Sequence, residues 1–142
     1  MVLTMARETY NNATNLQEKV LLYQLFGLDI KYDAEQRTCI IYFPVTELLL
    51  NSFGRVHGGI FSYISDTAMG LLNIHFKEGS FVTLELKTSY LKGIEEGELK
   101  AISRYVKEGS QVNFIECVIY NQDNEKLCVT TGTFYGIKGK NP

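Results

Sequence analysis

A single acid, Asp66, interrupts the long run of apolar and small residues that begins at Gly58 and ends at Asn73. Carboxylates are seldom buried without a partner, so such an acid is either held by a structural hydrogen bond or does chemistry. Its company favours chemistry. His57-Gly58-Gly59 opens the run, with Asp66 nine residues after the histidine and Asn51 six residues before it. Paired glycines at a helix start leave backbone N–H groups accessible, where the macrodipole favours developing negative charge. An amide donor for an oxyanion and a carboxylate to activate water are the two parts of a hydrolytic site.

The spacing decides how these parts can meet. Read as a helix from Gly58, the run carries Ile60, Phe61, Ile64, Ala68, Leu71 and Leu72 on an apolar stripe. A second stripe holds Gly59, Ser62, Asp66, Gly70 and Asn73, small or polar throughout apart from the acid. Nine helical residues turn the chain by about 900° and advance it by about 13.5 Å, half a turn out of phase. His57 and Asp66 therefore cannot form a hydrogen-bonded dyad in one copy. If both serve one reaction, they belong to two sites or a second subunit supplies one of them.

Asn51, His57-Gly58-Gly59 and Asp66-Thr67-Ala68-Met69-Gly70 together resemble the signature of hotdog-fold acyl-CoA thioesterases of the Asp-dependent, phenylacetate-pathway type. The resemblance runs over 28–137 and includes the TSYLK stretch at 88–92 and the closing TTGTFYGI at 130–137. It implies an α+β fold, an antiparallel sheet wrapped around the central helix, with subunits paired side by side and sites at their interface. It implies Asp66 as general base or nucleophile and the Gly58 N–H as oxyanion donor. Asn51 and Thr83 would position water or thioester, with Thr83 about one residue off the expected helix-to-strand spacing. His57 would support the loop and the carbonyl side. Gly59 and Phe61 would contact the acyl-CoA, whose phosphates Lys92 and Arg104 could meet. Relatives carry Arg or Lys after the Gly of the β-turn where this chain has Gly109-Ser110, a departure that weakens phosphate anchoring there.

Each residue also has a plainer use. Asn51 could cap its loop, His57 could be a satisfied loop histidine, and the glycines could serve close packing alone. Thr83 could be an ordinary strand residue. Two other functions remain on the same fold: a non-catalytic acyl-thioester binder, and a dehydratase. The latter wants a His working with the helix acid on both protons, and the nine-residue spacing disfavours it.

The elements that must position these groups are legible from periodicity. A helix over the first 26 residues, with a loose leader, would be capped by Asn15 and Glu18 and ended by Gly27. Strands are expected over 28–45 on both sides of a turn at 33–36, with Pro44 ending the second. After the central helix come strands at 80–91, 97–106, 111–120 and 126–137, whose short connections suggest an antiparallel meander. In the first of them Val82, Leu84 and Leu86 alternate with Thr83, Glu85 and Lys87. A sheet of this kind leaves an exposed edge, and pairing two copies covers both it and the small helix face. A dimer, and plausibly a tetramer, is expected.

The 142 residues suit one domain spanning 1–142. A net charge of −2 gives no electrostatic case for nucleic acid or an anionic membrane, and no apolar stretch is long enough to span one. Three scattered cysteines, Cys39, Cys117 and Cys128, with only two histidines argue against a zinc site and for reduced thiols in a cytoplasmic protein. No metal or cofactor is called for.

Overall fold

The computed structural model describes residues 1–15 and 17–138. Its elements run α1 (Val2–Asn12), α2 (Leu21–Leu25), β1 (Asp29–Asp33), β2 (Thr38–Pro44), a 3-10 turn (Glu47–Leu49), α3 (Gly58–Phe76), β3 (Ser80–Tyr90), β4 (Glu98–Glu108), β5 (Val112–Tyr120) and β6 (Lys126–Ile137). The strands form one antiparallel sheet in the order β1-β2-β4-β5-β6-β3. One face of the sheet holds α3. Strand alternation buries Cys39, Ile41 and Phe43 of β2, Leu99 and Ala101 of β4, and Ile115, Cys117 and Ile119 of β5 around the helix's Ile64, Ala68, Met69 and Leu72. This is the hotdog arrangement that the resemblance implied. All three cysteines are buried and free of disulfides.

Three expectations need correction. The four strands after the helix are not a simple meander: β4, β5 and β6 are consecutive neighbours, but β3 pairs with β6 at the far edge. The connection at 91–97 crosses the sheet end, tied by Leu91 N to Leu127 O (2.9 Å), Val56 N to Ile94 O (2.9 Å) and Val45 N to Gly97 O (2.8 Å). Those bonds satisfy a backbone that would otherwise be stranded there.

The alternation in β3 also changes phase. Thr83 faces Phe134 and Leu86 faces Gly132, so three residues of β3 span two of β6. Leu84 is the extra residue of a β-bulge and stands 59% exposed. Before it Phe81 and Thr83 face the helix; beyond it Leu86, Thr88 and Tyr90 do. A bulge shifts a strand's side-chain phase by one residue. The even-numbered apolar face read from sequence is thus split between the two sides.

At the N-terminus the capped helix is broken in two and its leader is itself helical. Asn15 Oδ1 accepts from Glu18 N at 3.0 Å, but Glu18 reaches back to the Asn15 side-chain amide (2.9 Å) and to Thr14 N (2.7 Å) instead of Asn15 N, so the cap is made without the full box and closes only a turn. Val20 is extended, and helix resumes only at Leu21–Leu25. So short a helix is marginal alone and holds because Tyr23 and Phe26 pack into the core. Gly27, at φ +64°, ends it as expected. Leu16, assigned to that helix, lies outside the described residues. Helix α1 buries none of its residues.

Candidate active site

The loop leading into α3 is closed by its own backbone. Leu50 bridges Val56, Asn51 N donates to Arg55 O at 2.7 Å, and His57 N donates to Leu49 O at 2.8 Å. Asn51 Oδ1 accepts from the N–H groups of Phe53 (2.9 Å) and Arg55 (3.2 Å), which makes Asn51 the cap of this loop and fixes which side-chain atom is oxygen. His57 is the N-cap of α3. Its Nδ1 accepts from Gly59 N at 3.0 Å, so the proton of the neutral ring sits on Nε2. Ile60 N turns back to His57 O at 2.9 Å. With Gly59 and Ile60 satisfied, the Gly58 N–H is left without a hydrogen-bond partner among the described residues.

Tyr90, at the end of β3, lies against that glycine. Its hydroxyl donates to Gly58 O at 2.9 Å, and a Cβ on Gly58 would stand 3.1 Å from the tyrosine ring. Only glycine fits without displacing the ring. The ring also stacks on Phe61, with centroids 6.4 Å apart. Asn51, Val56, Gly58, Phe61, Tyr90 and Lys92 share the walls of a cleft of about 310 Å³. Lys92 is not a free cation, since Glu125 holds its ammonium at 2.6 Å.

Asp66 lies on the helix face that stays partly open. It is half-buried, and Thr83 donates its hydroxyl proton to Asp66 Oδ1 at 2.8 Å. The bulge at Leu84 makes this contact, because an unbroken alternation keeping Leu86 inward would turn Thr83 away. Tyr23 of α2 and Tyr63 of α3 stand close enough to feel the acid. Burial raises both phenol pKa values above the ordinary range, and the charge of Asp66 pushes the same way. A wider cleft of about 590 Å³ runs between Val20 and Tyr23 on one side and Leu71 and Ile74 on the other. None of the expected site residues lines it.

The fold thus gathers the expected residues into two groups. Asn51, His57, Gly58, Gly59, Phe61 and Lys92 cluster at the helix start; Asp66 and Thr83 lie farther along. Arg104 joins neither, which corrects its assignment: the neighbouring Ser103 faces α3, donating to Ala68 O at 2.8 Å, so Arg104 lies on the opposite sheet face beside Thr38 and Glu116. Asn73 leaves the open face too. It is 1% exposed and accepts from Asn113 Nδ2 (3.0 Å) and Tyr105 OH (3.1 Å), because the start of β5 reaches over the last helical turn. His75 closes that turn with its ring stacked 3.8 Å from Tyr32. Sequence reasoning gave no part to Tyr90 or Tyr23. The signal for Tyr90 was Gly58 itself, since a helix-start glycine asks what occupies the space of its missing side chain.

The profile of the thioesterase superfamily matches residues 53–128, and the chain belongs to that family. It is 29% identical over 123 residues to ComA2 of Bacillus subtilis (strain 168), an esterase by name, covering 84% of this chain and 97% of that one. Among solved structures it resembles the Escherichia coli PaaI protein from the phenylacetic acid degradation operon, with a TM-score of 0.79, 20% identity, and coverage of 95% of this chain and 97% of that one. Thioesterase HI1161 of Haemophilus influenzae superposes with a TM-score of 0.75 at 20% identity, over 91% of this chain and 94% of the other. At that identity the structural likeness speaks for the fold. Family membership speaks for thioester hydrolysis. No helix among the described residues is long and apolar enough to cross a membrane.

Proposed function

We propose that the protein hydrolyses an acyl-CoA thioester, with a medium-sized or aromatic acyl group, at sites assembled from two subunits. The observation that carries this reading is the separation of the parts. The one unpartnered N–H of the first helical turn, Gly58, lies eight residues before Asp66, about 12 Å along the axis. A thioester carbonyl held by Gly58 of one protomer would meet Asp66 of the other, acting on water as general base or attacking the carbonyl itself. Thr83 orients that carboxylate, and His57 and Asn51 hold the donor loop.

Two features support the pairing. Strand β3 is an eleven-residue edge of the sheet, with a strand neighbour, β6, on one side only among the described residues. Gly70 lies one turn from Asp66, and a Cβ there would meet nothing within 4 Å. A mid-helix glycine costs roughly 0.5–1 kcal/mol relative to alanine, and no neighbour inside the protomer requires it. Close approach of a second helix does. The family's fold and the cleft at the helix start support CoA as the carrier; a dimer or tetramer in the cytoplasm is the setting.

The test is release of free CoA thiol from a panel of acyl-CoAs, from acetyl to phenylacetyl and medium-chain. Turnover of at least one member, abolished in Asp66→Ala while the assembly keeps its size, is the expected result. Retained activity in that variant would remove Asp66 from the mechanism.

A further inference from the structure

A chain of hydroxyl groups runs from the buried sheet to the helix start. Cys128 Sγ lies 3.7 Å from Thr130 Oγ1, Thr130 Oγ1 3.1 Å from Thr88 Oγ1, Thr88 Oγ1 3.1 Å from Ser62 Oγ, Ser62 Oγ 3.0 Å from the Tyr90 hydroxyl, and that hydroxyl 2.9 Å from Gly58 O. Each of these groups has a single proton to give. A carbonyl can only accept, so Tyr90 donates to Gly58. The proton between Ser62 and Tyr90 must then come from Ser62, that between Thr88 and Ser62 from Thr88, and that between Thr130 and Thr88 from Thr130. Cys128 supplies the last. Only this one direction satisfies all five contacts, and it ends on the peptide that begins α3.

We propose that Tyr90, polarised by Ser62, Thr88 and Thr130, is the positioning residue that orients the Gly58 amide as oxyanion donor. The Gly58 N–H belongs to the His57–Gly58 peptide, whose oxygen accepts from Ile60 N at 2.9 Å. The peptide on the other side of the Gly58 Cα, joining Gly58 to Gly59, is gripped at its oxygen by Tyr90 and at its hydrogen by His57 Nδ1. Gly58 has no side chain to restrict its rotation, so its N–H is aimed only while both flanking peptides are held, and Tyr90 holds the second of them. Hydrogen bonds in a chain strengthen one another, which makes the terminal hydroxyl a better donor than an isolated phenol. Burial raises the Cys128 pKa and keeps the thiol protonated, so the chain starts from a fixed donor. Tyr90 touches no reacting atom in this role.

This inference rests on Gly58 serving as the donor in thioester hydrolysis, and the experiment separates the two. Steady-state kinetics are measured on the best acyl-CoA for the wild type, Tyr90→Phe, Thr88→Val and Thr88→Ser, with melting temperatures alongside. Removing an oxyanion donor outright lowers kcat by ~10²–10³; Tyr90→Phe keeps the amide but loosens the peptide that follows it, and a fall of roughly 10-fold in kcat with KM within about 3-fold is expected. Thr88→Val should lower kcat by a smaller factor and Thr88→Ser, which restores the hydroxyl, should recover it. Unchanged kcat in Tyr90→Phe, or Thr88→Val and Thr88→Ser behaving alike, would overturn the inference. A KM rise without a kcat loss would also overturn it, by making Tyr90 a substrate contact. A wild type inactive on every acyl-CoA would instead sink the functional reading.

Discussion

The helix start and the middle of the same helix are built on opposite plans. Around Gly58 nearly every polar atom is committed: His57 caps Gly59, Tyr90 holds the carbonyl, Asn51 ties the loop, and one amide is left to give. Around Asp66 a single hydroxyl, from Thr83, reaches the carboxylate, and the face beside it is open as far as Gly70. The first region is finished within one protomer. The second, on the proposed function, is half a site. An amide donor acts by direction, which needs a rigid mount, whereas an acid acting on water needs a neighbour to bring the substrate. The difference is what a site shared between subunits would look like when only one of them is in view.

Replacing one part from each region tests that contrast most sharply. Asp66→Asn keeps size and the bond from Thr83 but removes the base, and kcat should fall by ~10²–10⁴. Gly58→Pro should lower it by ~10²–10³, because proline at the first helical position deletes the N–H where the helix tolerates its loss. His57 precedes it at ψ 133°, the extended conformation that a residue before proline prefers. The tyrosine ring need yield only a few tenths of an ångström. If the two regions complete one site across a two-fold axis, mixing the two inactive variants by co-expression should restore about a quarter of wild-type activity, since half the random pairs hold one intact site of two. No recovery in verified mixed dimers would confine both parts to one subunit.

A smaller effect is expected at the hydrogen bond that Thr83 gives the acid. Thr83→Val removes a hydroxyl bonded to a charged group, a contribution of about 1.5–3 kcal/mol where the carboxylate is desolvated. Asp66 is only partly buried in the protomer, so the lower end applies, and a fall of roughly 10-fold in kcat should follow. Thr83→Ser should recover most of it. Equal rates for all three proteins would make the 2.8 Å contact a strand threonine's incidental bond.

Which parts of these two regions could be read from residues alone follows from what each depends on. Helix α3, its start at Gly58 and the phase of Asp66 depend on local periodicity and were legible. So were the six strands, because each is bounded by turn residues such as Asn121, Asn124 and Gly97, the last two at φ +59° and +105°. The sheet order was not, since β3 reaches β6 through a crossing whose direction is set by distant backbone bonds. The bulge at Leu84 leaves no local mark, and it decides that Thr83 faces the acid while Val82 does not. Thr83, expected about one residue off its spacing, does meet Asp66, and the bulge is the physical reason for the oddity. The sheet face of Arg104 was not legible, because a cation on a strand is as easily on the outer face as the inner one. Tyr90 was hidden because its role depends on a contact between the end of one strand and the start of a helix 32 residues earlier.

The smallest expected effect concerns the layer beneath both regions. Cys39 packs among the core residues that support α3, and Cys128 anchors the hydroxyl chain leading to the helix start. Burial raises both thiols, Cys39 from an ordinary 9.0 to about 12. A raised folded-state pKa means that below pH 9 both folded and unfolded chains keep the proton. Between 9 and about 12 only the folded chain does. The unfolded state therefore gains by deprotonating, and stability should fall as pH rises through that window. Tyr32, also raised by burial to about 12, adds to the loss above pH 10 with the same sign. Melting temperature followed from pH 8 to pH 11 should decline, and Cys39→Ala should decline less steeply once its own starting stability is subtracted. Parallel slopes would mean that the thiol is already solvated when folded. In that case the core under the helix start would be looser than its packing implies, and the rigid half of the comparison would lose its foundation.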